Sequence, residues 1–265
     1  MTIPHILPQA AAGAVEAAAV YQDPARQRPA ARPQLRRYNV ATLLDNGSIA
    51  ETRHTGPALP LFENAFCAFS RGSLIETPHG PVAVEDLLPG DEIATAGGGS
   101  QTLIWIGRTT LVPGLMPGRA ESRIGAGLTS FMADSLGLNR PSASMVAGPA
   151  ARLLRTPPHL RAQAGTAPLL SPAADFRDGM NIFETAPPAP VELYHLCLPR
   201  HAVISVGGLE FESYHPGPDA LKLVSYPIKT LFLNMFSHAS SIADFGPLAC
   251  ARADAAPYVP EALAV

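Results

Sequence analysis

Apolar and polar residues alternate over short runs along most of the chain, and turns rich in Gly and Pro separate the runs. An alternation with a period of two is typical of half-buried β-strands. The longest run, Thr102–Val112, contains the only tryptophan, Trp105, and predicts a strand in which this side chain is buried. The dipeptide Asn46-Gly47 predicts a hairpin of strands near 37–44 and 48–53, joined by a type I′ turn.

Four further segments carry recognisable patterns. Residues 145–154 read as one strand, and residues 191–215 predict the clearest hairpin, with a turn at Gly207-Gly208. Residues 113 to about 143 are rich in Gly, Pro and Ser and predict an inserted loop region with a short helix near 129–136. Apolar residues near helical spacing predict a C-terminal helix within 221–241. Most of the patterned residues therefore belong to predicted strands.

Composition narrows the fold class and the kinds of partner. The 28 prolines and 22 glycines among 265 residues exclude a protein of long helices and favour short strands joined by tight turns. The net charge of −3 leaves no basic excess to follow a phosphate backbone, so we expect no nucleic-acid partner. The three cysteines are widely spaced and predict no disulfide framework. The expected fold is all-β.

These patterns divide the chain into four predicted parts. They are a flexible Ala- and Pro-rich segment (1–35), a hairpin arm (36–59), a main β-domain (60–217) and a helical tail (218–265). No apolar stretch is long enough to span a bilayer, and the first residues do not resemble a secretory signal. The sequence thus predicts no membrane partner and a cytoplasmic location.

The segment 68–107 resembles the opening of bacterial hedgehog/intein (Hint) domains. Members of that family read Cys-Phe-x-x-Gly-Thr-Leu-Ile, then Thr-Pro-x-Gly, Val-Glu-Asp-Leu, Pro-Gly-Asp and Trp-Ile-Gly. The closing hairpin is similar too, and the resemblance covers about 150 of the 265 residues. The matching positions are Gly72, Leu74, Ile75, Thr77, Pro78, Gly80, Val84, Glu85, Asp86, Leu87, Pro89, Gly90, Asp91, Trp105, Ile106, Gly107, Tyr194, His195, Leu196, His201, Gly207, Gly208, and 212–217.

The resemblance implies a horseshoe of short strands and a self-processing reaction. In the family, an opening Cys or Ser attacks the carbonyl of the preceding residue, and a Thr-x-x-His element polarises that peptide bond and protonates its nitrogen. Only a thiol or hydroxyl can accept the acyl group, and only a group that titrates near neutrality moves protons efficiently. No cofactor takes part in this chemistry.

This chain departs from the family at the positions that carry the chemistry. Ala68 stands at the nucleophile position, and Gly148 and Ala151 stand at the Thr and His positions of the assisting element. A methyl group transfers neither an acyl group nor a proton. His195 and His201 remain at the closing positions and are expected to form a remnant pocket.

Other cysteine and histidine readings stay open. Cys67 precedes the nucleophile position by one residue, which directs its side chain to the opposite face of a strand, so it matters only if self-cleavage survives. A partial zinc site at His195, Cys197 and His201 lacks a fourth ligand, and we expect no bound metal. A thiol hydrolase pairing Cys67 or Cys197 with His201 lacks a recognisable nucleophile context.

Taken together, the sequence predicts a Hint-type domain that has lost its self-cleaving chemistry. The expected role is a structural or interaction module, without enzymatic turnover, whose partner is another protein. The alternative is residual self-cleavage near residues 66–68, in which an N-to-S acyl shift releases an N-terminal fragment.

Overall fold

The structure is a computed structural model that describes residues 35–112, 127–161, 167–186 and 188–253. The predicted flexible segment lies outside these residues, apart from Leu35. The strands are β1 (Leu35–Leu43), β2 (Ile49–Pro57), β3 (Phe69–Ser70), β4 (Leu74–Thr77), β5 (Gly80–Ala83), β6 (Glu92–Ala94), β7 (Ser100–Thr102), β8 (Trp105–Leu111), β9 (Leu128–Phe131), β10 (Met145–Ala147), β11 (Arg152–Leu154), β12 (Leu170–Pro172), β13 (Ile182–Thr185), β14 (Val191–Cys197), β15 (Val203–Val206) and β16 (Leu209–Glu212). The α-helices are α1 (Pro60–Glu63) and α2 (Tyr226–Leu233). Single 3-10 turns cover Val84–Asp86, Pro158–Leu160, Ala173–Phe176 and Ile242–Phe245.

The strands form three sheets, and every strand pairing within them is antiparallel. The eight-stranded sheet has the order β13-β9-β10-β3-β14-β8-β1-β2, and the six-stranded sheet has the order β12-β11-β16-β15-β4-β5. Strands β6 and β7 form a small third sheet. This architecture confirms the all-β prediction. No helix among the described residues is both long and apolar enough to cross a membrane.

The N-terminal hairpin forms as predicted, but its turn differs. Of the two central residues only Gly47 has a positive φ, at 80°, and its N–H donates to Leu44 O at 2.8 Å. This is the longer hairpin loop in which a glycine in the left-handed region follows the turn, so the predicted type I′ turn is wrong. At Gly207-Gly208, between β15 and β16, both φ angles are positive, as a type I′ turn requires.

Trp105 lies at the centre of the core, which confirms its predicted burial. Its side chain is fully buried, and its indole N–H donates to Met235 O at 2.7 Å. The rings of Phe66 and Phe236 lie 5.4 and 4.7 Å from it, centroid to centroid. A Cβ on Gly107 would stand 2.2 Å from the indole ring, so only glycine lets the ring lie across its own strand. The Trp-Ile-Gly motif is thus a packing unit.

Tertiary pairing overrode three local predictions. Residues 129–136 are not a helix, because Leu128–Phe131 pairs as a strand with β10 and β13. Residues 145–154 form two strands, β10 and β11, which the turn 148–151 separates. Residues 191–215 are not one hairpin: β14 pairs with β3 and β8, and the chain then crosses to the other sheet, where β15 and β16 form the hairpin.

The predicted hairpin arm and helical tail both pack into this core. Strand β1 pairs with β8 of the main sheet along Tyr38–Thr42. In the tail, α2 is shorter than predicted, and Phe236 and Phe245 after it are buried against Tyr214. The tail therefore closes over the side of the domain that carries the candidate site.

Candidate functional site

The peptide bond between Cys67 and Ala68 lies where the chain passes from α1 into β3. Both residues are almost fully buried. The Cys67 N–H donates to Glu63 O at 2.9 Å, and the Ala68 N–H donates to Tyr194 O at 3.0 Å. The amides on both sides of residue 67 are therefore fixed, the first by the helical turn and the second by β14.

The turn 148–151 is hydrogen-bonded directly onto this peptide bond. The Ala150 N–H donates to Cys67 O at 3.0 Å, and the Gly148 N–H donates to Ala68 O at 2.7 Å. The two segments that the sequence assigned to a nucleophile position and to an assisting element thus lie face to face. The Ala150 N–H polarises the carbonyl of the 67–68 bond, which is the electrophile that a nucleophile at position 68 would attack.

The space at Gly148 is filled by the peptide group it faces. A Cβ on Gly148 would lie 2.1 Å from Cys67 O and 2.7 Å from the Cys67 carbonyl carbon. Real Cβ atoms do not approach backbone this closely. The Thr side chain that the family motif places here has no room, because the turn has closed onto the bond that the Thr would polarise.

His195 on β14 lines a small cavity next to this turn. The cavity has a volume of about 20 Å³, and Ala150, Glu212 and Tyr214 are among its lining residues. His195 Nδ1 donates to Asn64 O at 2.9 Å, and Nε2 has no hydrogen-bond partner among the described residues. Burial lowers the pKa of His195 to about 4, so its imidazole is neutral near pH 7.

The second remnant histidine, His201, lies beyond Glu212 and is held in place. Its Nδ1 accepts the Ala249 N–H at 2.9 Å, and its Nε2 stands 3.5 Å from Glu212 Oε2. Since Nδ1 is an acceptor, the ring carries a proton on Nε2, the nitrogen that faces the carboxylate. His201 therefore orients Glu212 and does not line the cavity beside Ala150.

A family model described as the Hint domain matches residues 67–218, more than half of the chain. The chain belongs to the Hint domain family. A comparison with curated proteins found no match. Within this Hint domain, position 68 and the turn 148–151 lie face to face.

Sequence reasoning missed the charged cluster that supports the remnant site. Glu212 accepts hydrogen bonds from Arg252 at 3.1 and 3.2 Å and forms an ion pair with Arg152 at 3.2 Å. Burial by itself raises the pKa of the Glu212 carboxyl, but His201 and the two arginines outweigh it and hold the pKa below its usual value. Arg252 comes from the tail, so no local spacing in the sequence could have paired it with Glu212.

A third buried histidine, His215, uses both of its ring nitrogens in hydrogen bonds to the backbone. Its Nδ1 accepts the Gly217 N–H, and its Nε2 donates to Gly246 O, each at 2.9 Å. Burial lowers its pKa. This ring fixes the end of the closing hairpin against the tail, which is a structural role.

Both buried thiols are held in the protonated form. Burial, with a contribution from nearby Glu63, raises the pKa of Cys67 far above its usual value. Burial also raises the pKa of Cys197 to about 12, and its sulfur lies 3.7 Å from His238 Nε2 rather than against His201. A thiol without access to its thiolate form is a poor nucleophile. Among the described residues, no three His, Cys, Asp or Glu side chains group closely enough to hold a metal ion.

Because His195 is buried with a lowered pKa, we expect the folded chain to lose stability against unfolding in weak acid. Its pKa in the folded chain lies below the unfolded value of about 6.5, so as the pH falls through this range the unfolded chain takes up a proton that the folded chain does not. Stability is therefore present above about pH 6.5 and is lost as the pH falls towards 4. We expect His195 to account for about 2 kcal/mol between about pH 7 and about pH 5.

Urea unfolding across this pH range measures the effect. Other buried histidines with lowered pKa values, such as His215, act in the same direction, so the comparison is with a His195→Phe variant. The free energy of unfolding of the variant should fall less steeply with falling pH. The difference in slope corresponds to the uptake of up to one proton on unfolding. Identical pH slopes in the two proteins would show that His195 is not the buried neutral base described here.

Proposed function

We propose that this chain is a Hint domain that no longer cleaves itself and that serves as a structural or interaction module for a protein partner. The observation that carries the proposal is the register of the site. The backbone donor of Ala150 polarises the 67–68 bond, and the side chain at the nucleophile position next to that bond is the methyl group of Ala68. The carbonyl is polarised, but the residue at the attacking position carries no nucleophile.

Many of the motif residues that remain build turns and packing. Glu85 accepts the Gly72 N–H at 2.7 Å, Asp91 accepts the Leu88 N–H at 2.8 Å, and Thr77 donates to Gly80 O at 2.6 Å. Each of these hydrogen bonds shapes a loop of the domain, and none of them involves the 67–68 peptide bond. Retention of the scaffold with loss of the reacting groups supports a role for the folded domain itself.

Residual self-cleavage through Cys67 is the second candidate, and the observation that favours it is a thiol one residue before the nucleophile position. An N-to-S shift at Cys67, however, attacks the carbonyl of Phe66. The Ala150 donor lies on the carbonyl one residue later, and the Cys67 N–H is bound in the turn to Glu63 O. The protonated, fully buried thiol therefore faces a bond that the site does not polarise.

Incubation with strong nucleophiles tests the proposed loss of self-cleavage. Dithiothreitol or hydroxylamine traps a thioester and releases the N-terminal fragment, so the intact mass should persist through a time course followed by mass spectrometry. The matched variant is Cys67→Ala, which should behave in the same way as the wild type. A fragment that ends at Phe66 in the wild type and is absent from Cys67→Ala would replace the proposal with the second candidate.

A further inference from the structure

Strand β2 forms an outer edge of the eight-stranded sheet over nine residues, Ile49–Pro57. Its inner side pairs with β1 along its whole length, and no described strand pairs with its outer side. Most of its side chains from Ile49 to Thr55 are exposed. An unpaired edge of this kind presents a row of backbone donors and acceptors to another strand.

The pairing of β1 on its two sides determines which β2 groups point outward. Leu43 donates its N–H to Ile104 O on the β8 side, so the alternating residues of β1, such as Val40, direct their backbone groups to β2. Val40 stands opposite Thr52. Counting in steps of two, the residues of β2 with outward backbone groups are Ile49, Glu51, Arg53 and Thr55. No proline interrupts this stretch.

Two of these outward residues carry opposite charges. Glu51 and Arg53 lie on the same face, and their neighbours across β1 are the uncharged Ala41 and Asn39. Neither charge takes part in an ion pair within the described part of the chain. The edge therefore offers an acidic and a basic side chain, two residues apart, with no partner on the neighbouring strand.

We propose that two copies of this chain pair edge to edge through β2, antiparallel, about a two-fold axis at Thr52. In this register Glu51 of each copy stands opposite Arg53 of the other, and Ile49 stands opposite Thr55. All four are outward residues, so each facing pair exchanges N–H···O=C bonds in both directions. The same two charges, which form no ion pair among the described residues of one chain, then form two symmetric cross-strand ion pairs.

The charges also exclude the neighbouring registers. A two-fold axis at residue 51 places Glu51 opposite Glu51, and an axis at Arg53 places the two arginines opposite each other, which is unfavourable. If one β2 strand slips by one residue against the other, outward backbone groups no longer face each other, and the side chains of the paired residues lie on opposite faces. Only the axis at Thr52 satisfies both the backbone and the charges, and this self-complementarity favours a second copy over an unrelated strand as the partner.

This pairing builds on the proposed interaction role in one respect: it names a second copy of the chain as the protein partner. Whether the chain cleaves itself is measured by the mass of the intact protein, and whether it pairs is measured by its sedimentation. A monomeric protein of intact mass would overturn the pairing and leave the proposed loss of self-cleavage standing. Cleavage near residues 66–68 would overturn the proposed loss of self-cleavage, and the fragment that it releases would contain β2.

Charge reversal on the edge tests the proposal in the full-length chain. Sedimentation velocity at increasing protein concentration should show a monomer–dimer equilibrium for the wild type. Glu51→Arg alone and Arg53→Glu alone each place like charges opposite each other, and each should weaken the dimer at least about tenfold. An equimolar mixture of the two variants recreates the opposite-charge pairs between different chains, so it should sediment as a heterodimer.

Two controls separate pairing from net charge and from misfolding. The double variant Glu51→Arg with Arg53→Glu should dimerise as the wild type does, because the pairs are inverted but intact. Glu210→Arg makes the same change of charge at another exposed strand residue and should leave the dimer unchanged. A monomeric wild type, a dimer insensitive to both single changes, or a mixture that stays monomeric would each overturn the proposal.

Discussion

Trp105→Ala is expected to lower the free energy of unfolding by about 3–5 kcal/mol, the usual range for truncating a large buried aromatic side chain. The indole fills the space between the main sheet and the C-terminal tail, where it lies against Phe66, Phe236 and Tyr214. Its removal leaves a cavity that these rings cannot fill, and it also leaves Met235 O without its donor. Urea unfolding followed by far-ultraviolet circular dichroism measures the change.

The matched control is Trp105→Phe, which keeps an aromatic ring but loses the indole N–H. It should cost less than the Ala variant and more than zero, because the hydrogen bond to Met235 O is lost while most of the packing stays. The wild-type tryptophan, the only one in the chain, should emit at short wavelength and resist quenching by acrylamide. Emission at long wavelength with easy quenching would contradict this placement in the core.

The sequence was sufficient to predict those elements whose signals are local. The alternating run around Trp105 predicted a buried strand, and the dipeptides at Asn46-Gly47 and Gly207-Gly208 predicted hairpins that the structure contains. Turn residues and alternation act within a few positions along the chain, so they can be recognised without knowledge of the fold. The family motif added the specific fold, the Hint domain, because it links many such local signals in a fixed order.

Features that depend on distant segments were outside the reach of the sequence. The pattern over 129–136 fits a helix, and only its two partners, β10 and β13, make Leu128–Phe131 a strand. Glu212 was visible as part of the closing motif, yet its partner Arg252 lies 40 residues later in a tail without a recognisable signal. Long-range pairing of this kind is set by the packed structure rather than by propensity.

In the candidate site, too, some features could be predicted from the sequence and others could not. Ala68 and the turn 148–151 were assigned by resemblance alone, and the structure places them in direct hydrogen-bonded contact. The two histidines were expected to share one pocket, whereas His195 lines the cavity and His201 is bonded to Ala249 and directed at Glu212. Residue spacing predicts which groups are present, but only the strand crossing after β14 determines which of them meet.

Gly148→Ala is expected to destabilise the domain by about 3 kcal/mol or more, towards the upper end for an overpacked core, although alanine is the smallest possible change. The new Cβ would stand 2.1 Å from Cys67 O, and that oxygen is backbone, held in place by the Ala150 N–H. Neither a rotamer change nor a flexible neighbour can relieve the overlap. The turn 148–151 must withdraw, which breaks the hydrogen bonds that it donates to Cys67 O and to Ala68 O.

Gly97→Ala is the matched control for this change. Gly97 lies in an exposed loop, its added Cβ would meet nothing within 4 Å, and its backbone conformation suits any residue, so this variant should unfold at the wild-type urea concentration. Gly148→Thr, which recreates the residue type of the family motif, should be at least as destabilising as Gly148→Ala. A Gly148→Thr variant as stable as the wild type would show that the turn can still open to admit the assisting side chain, and the site would then be vacated without having closed. If both Gly148 variants are destabilised and Gly97→Ala is not, restoring the motif residue by residue cannot restore the site, because the backbone now occupies the space that the chemistry requires.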